Sequence, residues 1–234
     1  MVSIRLMVVP FLLLMSLITS AQQTFRFTRA NAHPNAQALM KEEFFWSPID
    51  ESGPFGSDGG SDAAYGFYNW RKEHTLGSPI TWLKELFSSW AYPQLAWDEL
   101  DTVEIKRFIS LPAHPDPATV EQTIRAIKQN QNTTPATKGQ KKLTDDEIRQ
   151  LILDGSKNMG LTYLTDEDAA IIGTAFAQVV MEGKIDPVLK VHAQNTIKRE
   201  MLPIIIRNFG NQGQQNLHKE KLTKMLKVLE KIYS

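Results

Sequence analysis

Thr165 to Gly183 reads TDEDAAIIGTAFAQVVMEG, and this stretch decides the fold class. Thr165 and Asp168 have capping-box spacing, which predicts a helix start. Ile172, Ala175, Phe176, Val179 and Val180 follow at helical spacing, and Gly183 predicts the C-cap. The same signals recur on both sides. Ser78-Pro79 pairs an N-cap with proline at the first helical position, and Trp82, Leu83, Leu86, Phe87 and Trp90 share the next face. Asp116-Pro117 repeats the device before Val120, Ile124 and Ile127, and Thr144 to Glu147 is a second capping box. Asp186-Pro187 opens a further helix that Pro203 must kink or split, because proline has no N–H to donate. Gly210 and Gly213 punctuate the turn into a last helix carrying Leu222, Met225, Leu226, Leu229 and Ile232. Strand character is confined to Val103–Leu111, where Glu104, Lys106 and Arg107 fit a short amphipathic helix equally well. The predicted fold class is all-α, with two helical units.

Gln129 to Lys142, QNQNTTPATKGQKK, holds no strongly apolar residue, which predicts a polar linker. It divides an aromatic-rich helical domain, 30–128, from a C-terminal helical bundle, 143–234. All five tryptophans precede it.

Arg5, the apolar run Leu6 to Ile18 and the small residues Thr19-Ser20-Ala21 form a signal-peptide pattern over 1–21. The run is short for a membrane span, and no second one of spanning length follows. The expectation is a periplasmic or secreted protein with no transmembrane span in the mature chain. With no cysteine, stability must come from burial, and thiol chemistry is excluded.

Without residues 1–21 the chain carries 25 basic and 26 acidic side chains, so there is no cationic excess for nucleic acid. The balance is uneven: residues 22–128 hold 10 Lys+Arg and 14 Asp+Glu, and 141–234 hold 14 and 12. His33, His74, His114, His192 and His218 show no metal-ligand spacing. There is no Gly-x-Ser-x-Gly elbow and no P-loop, and no cofactor is implied.

Between Phe44 and Trp97 lie 13 of the 21 aromatic residues, around the turn Ser52 to Asp62, SGPFGSDGGSD. Asp58 and Asp62 stand four apart at the predicted start of a helix running from Asp62 towards Glu73. With Asp50, Glu51 and Ser61 they offer oxygen ligands for a hard cation, though the spacing is not that of an EF-hand. The simpler reading makes Ser61 or Asp58 an N-cap, Asp62 a complement to the helix dipole, and the glycines a means of turning. Beyond the turn, Tyr65, Phe67, Tyr68 and Trp70 point in different directions around the helix. Asp62, Tyr65 and Asn69 fall on one face, a mixed patch suited to a peptide or sugar. Packing inside a helical core is the alternative. The binding candidates are therefore Asp58, Asp62, Tyr65, Asn69 and Trp70. In the last helix, Lys219, Lys221, Lys224, Lys227 and Lys231 make either a solvated face or a surface for an anionic layer.

His33-Pro34-Asn35-Ala36, the Phe44-Phe45-Trp46 triplet, the Pro54–Gly60 turn PFGSDGG and a helix ending in Trp70-Arg71 form one pattern. On these residues the chain resembles the YfeS-like family of uncharacterised bacterial proteins, over about residues 30–110. The resemblance implies that the turn and the aromatic helix define a module, and it implies no catalytic residue. The functional expectation is a non-enzymatic protein- or peptide-binding module of the cell envelope. The alternative is a carboxylate-based hydrolase acting on envelope polymers.

Overall fold

The computed structural model describes residues 25–90, 92–113, 115–133 and 142–234. The expected signal, His114 and residues 134–141 of the expected linker lie outside these. The described residues form ten α-helices and two 3-10 turns, with no strand among them. In order, the helices are α1 (Pro34–Leu39), α2 (Asp58–Glu73), α3 (Pro79–Ser89), α4 (Thr102–Ile109) and α5 (Pro117–Thr133). They continue as α6 (Asp145–Gly155), α7 (Gly160–Glu182), α8 (Pro187–Glu200), α9 (Pro203–Ile206) and α10 (Gln212–Lys231). Val103–Ile109 thus lies in α4, with Ser110 as its C-cap and Leu111 beyond it.

Several starts and stops follow the local chemistry. Ser78 caps α3, Thr144 and Glu147 close a reciprocal capping box on α6, and Asp186 caps α8 ahead of Pro187. Gly183 ends α7 at φ 67°, a left-handed conformation that favours glycine. Pro203 begins α9 after α8 has closed at Glu200, so the predicted interruption is a full break.

Two predicted starts are displaced. The helix bearing Thr165 begins at Gly160, so Thr165 is internal and its hydroxyl donates to the carbonyls of Leu161 and Thr162. At the earlier start Gly160 sits so close to the Phe108 carbonyl that a Cβ would overlap it. Likewise α2 starts at Asp58, and Ser57, not Ser61 or Asp58, accepts from Gly60 N–H as its cap.

That displacement changes what the glycines do. Gly59 and Gly60 lie inside α2, and Gly183 and Gly210 are the positive-φ glycines among the described residues. The need is close approach: α2 crosses α7 with Gly173 against the backbone of Gly60, where a Cβ would overlap the Gly60 carbonyl. A Cβ on Gly60 itself would fall 2.8 Å from the Pro54 carbonyl oxygen. Glycine is required there by space.

Helix α7 is the centre of the molecule, packed against α1, α2, α3, α4 and α8. It is buried on nearly every side from Leu164 to Val180, more than the single apolar stripe predicts. One core cluster joins Phe27, Phe45, Phe67 and Phe87 to Phe176, Leu189 and Leu229, drawing on both sides of the expected linker. A smaller cluster of Val120, Ile124 and Ile148 joins α5 to α6. The first residues of that linker, Gln129 to Thr133, are the last turn of α5.

The core also holds charge. Arg199 and Asp168 are both fully buried and paired in a two-pronged contact. Nη1 of Arg199 donates to the carbonyls of Ala96 (3.1 Å), Trp97 (3.3 Å) and Glu99 (3.1 Å). One guanidinium therefore fastens the irregular 95–100 segment onto the α7–α8 pair.

Candidate functional site

The turn after the 3-10 helix Glu43–Phe45 is built from local bonds. Ser47 Oγ accepts from Asp50 N–H at 3.1 Å, and Asp50 Oδ1 accepts from Ser52 N–H at 3.2 Å. Lys221 of α10 then grips both Asp50 oxygens, at 2.8 and 2.6 Å. This partly buried ion pair ties the turn to α10. Between them, and against the first half of α7, lies an acidic cleft.

The cleft has a volume of about 310 Å³. The carboxylates of Glu51, Asp58, Asp166 and Glu200 line it, with Thr165, Phe209 and His218. It continues into a groove of about 640 Å³ bordered by Leu161, Phe209, Leu217 and Lys221. Burial, and then the Asp58 carboxylate, push the Asp166 carboxyl above its usual range. Asp58 and Asp166 thus bring two acids into one cleft.

His218 closes one wall. It is only 4% exposed, and its ring stacks on Phe209 at 3.8 Å between centroids. Nε2 lies 3.4 Å from a carboxylate oxygen of Glu200, and neither ring nitrogen has a hydrogen-bond partner in the protein. Buried polar groups without partners are uncommon and mark places where a ligand or water completes the bonding. Ser52 and Ser57 are near in the lining, but no hydroxyl bonds to the imidazole, so no nucleophile–base pair is formed.

A second buried acid lies on α7 behind the cleft. Glu167 is 1% exposed; one oxygen accepts from Leu95 N–H at 3.4 Å and the other has no partner. Burial pushes its carboxyl up to about 8.

Of the five binding candidates, Asp58 alone lines this cleft, together with Glu51 from the wider set of oxygen ligands. Asp62 and Asn69 are exposed one and three turns along α2. Asn69 accepts from Lys72 Nζ at 3.4 Å. Tyr65 packs edge-on against Phe27 at 5.0 Å, as part of the core. Trp70 turns towards α3, donating Nε1–H to Glu85 at 3.0 Å and stacking on His74 at 4.4 Å. These aromatics follow the packing alternative. Among the described residues no three His, Asp or Glu side chains converge to hold a metal ion.

Asp166, Glu200 and His218 are the site residues that sequence reasoning passes over. Asp166 reads as part of a cap and His218 as one of five scattered histidines. Glu200 and His218 sit on different helices, so spacing does not connect them.

No family model, curated protein or solved structure matches the chain.

Proposed function

We propose that this protein is an exported, non-enzymatic binding module whose acidic cleft holds a basic segment of a polypeptide partner in the cell envelope. One observation carries the reading: four carboxylates line the cleft, while Lys221, the lysine of the adjoining groove, is already held by Asp50. The unpartnered His218 nitrogens add unused bonding capacity at the same wall. Leu161, Phe209 and Leu217 lie alongside. A lysine or arginine side chain has the matching shape, an apolar stem with a cationic head. The turn that carries the family resemblance forms the opposite wall.

Anisotropy of a labelled oligo-lysine peptide, with oligo-glutamate as control, tests this. Asp58→Asn with Asp166→Asn is expected to weaken oligo-lysine binding at least about tenfold, as loss of charge-assisted contacts does. The melting temperature should hold or rise, since the two acids repel. Unchanged binding would refute the assignment.

A carboxylate-based hydrolase is the second reading, favoured by Asp58 and Asp166 lining one cleft, since such chemistry uses a pair of carboxyl groups. Hydrolysis of an envelope polymer that Asp166→Asn abolishes without loss of stability would establish it. Export itself is checked by intact mass: the mature protein should start near Gln22, and a folded protein retaining Met1 would contradict it.

A further inference from the structure

A second cleft, of about 380 Å³, shares no lining residue with the acidic one. It lies where α1 meets α10, with Leu39, Phe45 and Val228 as an apolar floor and Lys41, Lys227 and Lys231 around it. Residues 224, 227, 228 and 231 are spaced to share one helical face, so α10 presents a lysine row beside its own apolar residue. Lys224 is satisfied by Glu42 at 2.6 Å and Glu220 at 2.7 Å. Lys41, Lys227 and Lys231 have no carboxylate partner among the described residues.

A solvated lysine face is commonplace, but exposed apolar residues stand at the α8–α10 junction where this one ends. Ile185 N–H donates to the Tyr233 carbonyl at 3.0 Å, and Lys190 Nζ donates to the Ile232 carbonyl at 2.9 Å. These bonds fasten the start of α8 to the end of α10. Val188, Val191 and Tyr233 are therefore at one end of the molecule, 52, 53 and 76% exposed.

We propose that this end of the protein docks on an anionic phospholipid surface, with one headgroup phosphate held among Lys41, Lys227 and Lys231. Three unpaired cations supply the charge complementarity, each favouring an anionic surface. The partly buried Leu39 and the exposed Val188, Val191 and Tyr233 add burial that a free phosphate would leave unused.

Co-sedimentation of the purified protein with vesicles tests it. Vesicles of equal parts phosphatidylglycerol and phosphatidylcholine should bind, with affinity falling between about 0.05 and 0.5 M salt as screening shortens. Pure phosphatidylcholine vesicles should not. Lys227→Glu with Lys231→Glu should lower partitioning about twentyfold or more. Lys84→Glu with Lys198→Glu, at two exposed lysines outside the cleft, should change it less than about twofold. Circular dichroism confirms that both variants fold. Failure to bind the anionic vesicles, equal binding to neutral ones, or equal loss in both variants would overturn the proposal. Full release by a few millimolar inorganic phosphate would reassign the cleft to a small anion. Full release by oligo-glutamate would reassign it to an acidic polypeptide.

Discussion

Replacing Arg199 by methionine removes a charge and five hydrogen bonds to four residues while keeping much of the side-chain volume. In the native protein Arg199 neutralises the fully buried Asp168 and satisfies the carbonyls of Ala96, Trp97 and Glu99. Breaking a buried pair from one side costs about 3–5 kcal/mol, because the other charge stays behind without compensation. The orphaned carbonyls raise this, at about 1–3 kcal/mol for each that finds no water. Protonation limits it: burial already pushes the Asp168 carboxyl upward against the pull of Arg199, and without the arginine it takes up a proton more readily. The loss should therefore be larger at pH 8 than at pH 5. Against a total stability of about 5–15 kcal/mol this is a large fraction. Urea unfolding followed by circular dichroism at both pH values measures it. Asp168→Asn combined with Arg199→Met separates the contributions: it removes the stranded charge and leaves the carbonyls unsatisfied, so recovery should be partial. An Arg199→Met protein within about 0.5 kcal/mol of wild type at pH 8 would show that this pair does not hold the 95–100 segment as described.

The raised carboxyl of Glu167 favours the protonated folded state, so its contribution is intact below about 4.5 and is lost as pH rises towards about 8. Glu167→Gln should match wild type near pH 5 and become more stable at higher pH, the gap opening by about 1.4 kcal/mol per pH unit; parallel stability–pH curves would contradict this. Gly173→Ala should cost about 1–3 kcal/mol or more by wedging α2 away from α7. Gly155→Ala, where a Cβ meets nothing within 4 Å, should be neutral or slightly stabilising; equal losses in thermal melts would undo the close-approach explanation.

Helix boundaries are legible wherever the signal acts over a few residues. Ser78-Pro79, Thr144 with Glu147, Asp186-Pro187 and Gly183 each bond to groups within four positions, so chain-local chemistry specifies them. Thr165 misleads because the same spacing occurs inside a helix that begins at Gly160, where the chain packs against Phe108 of a distant segment. The glycine-rich turn is conspicuous in the sequence for a reason the sequence does not show. Gly60 is needed because the Pro54 carbonyl folds back onto it, and Gly173 because α7 crosses against Gly60, not because the chain needs a left-handed turn there. Polarity over 129–142 predicts a linker, yet Gln129–Thr133 extends α5, which packs on α6 through Ile124 and Ile148. In the aromatic helix Phe67 is buried while Tyr65, Tyr68 and Trp70 are partly buried against the core, and none of them lines the cleft. Asp166, Glu200 and His218 converge through the packing of α7, α8 and α10, and no pattern along the chain brings them together.

The claim that the acidic cleft is the binding site is tested most directly by titrating the ¹⁵N-labelled protein with oligo-lysine and mapping amide shifts. Shifts should concentrate at Glu51, Asp58, Thr165, Asp166 and Phe209, with the His218 ring resonances moving in step. Shifts centred instead on Asp62 and Asn69, or no saturable shifts at all, would contradict it.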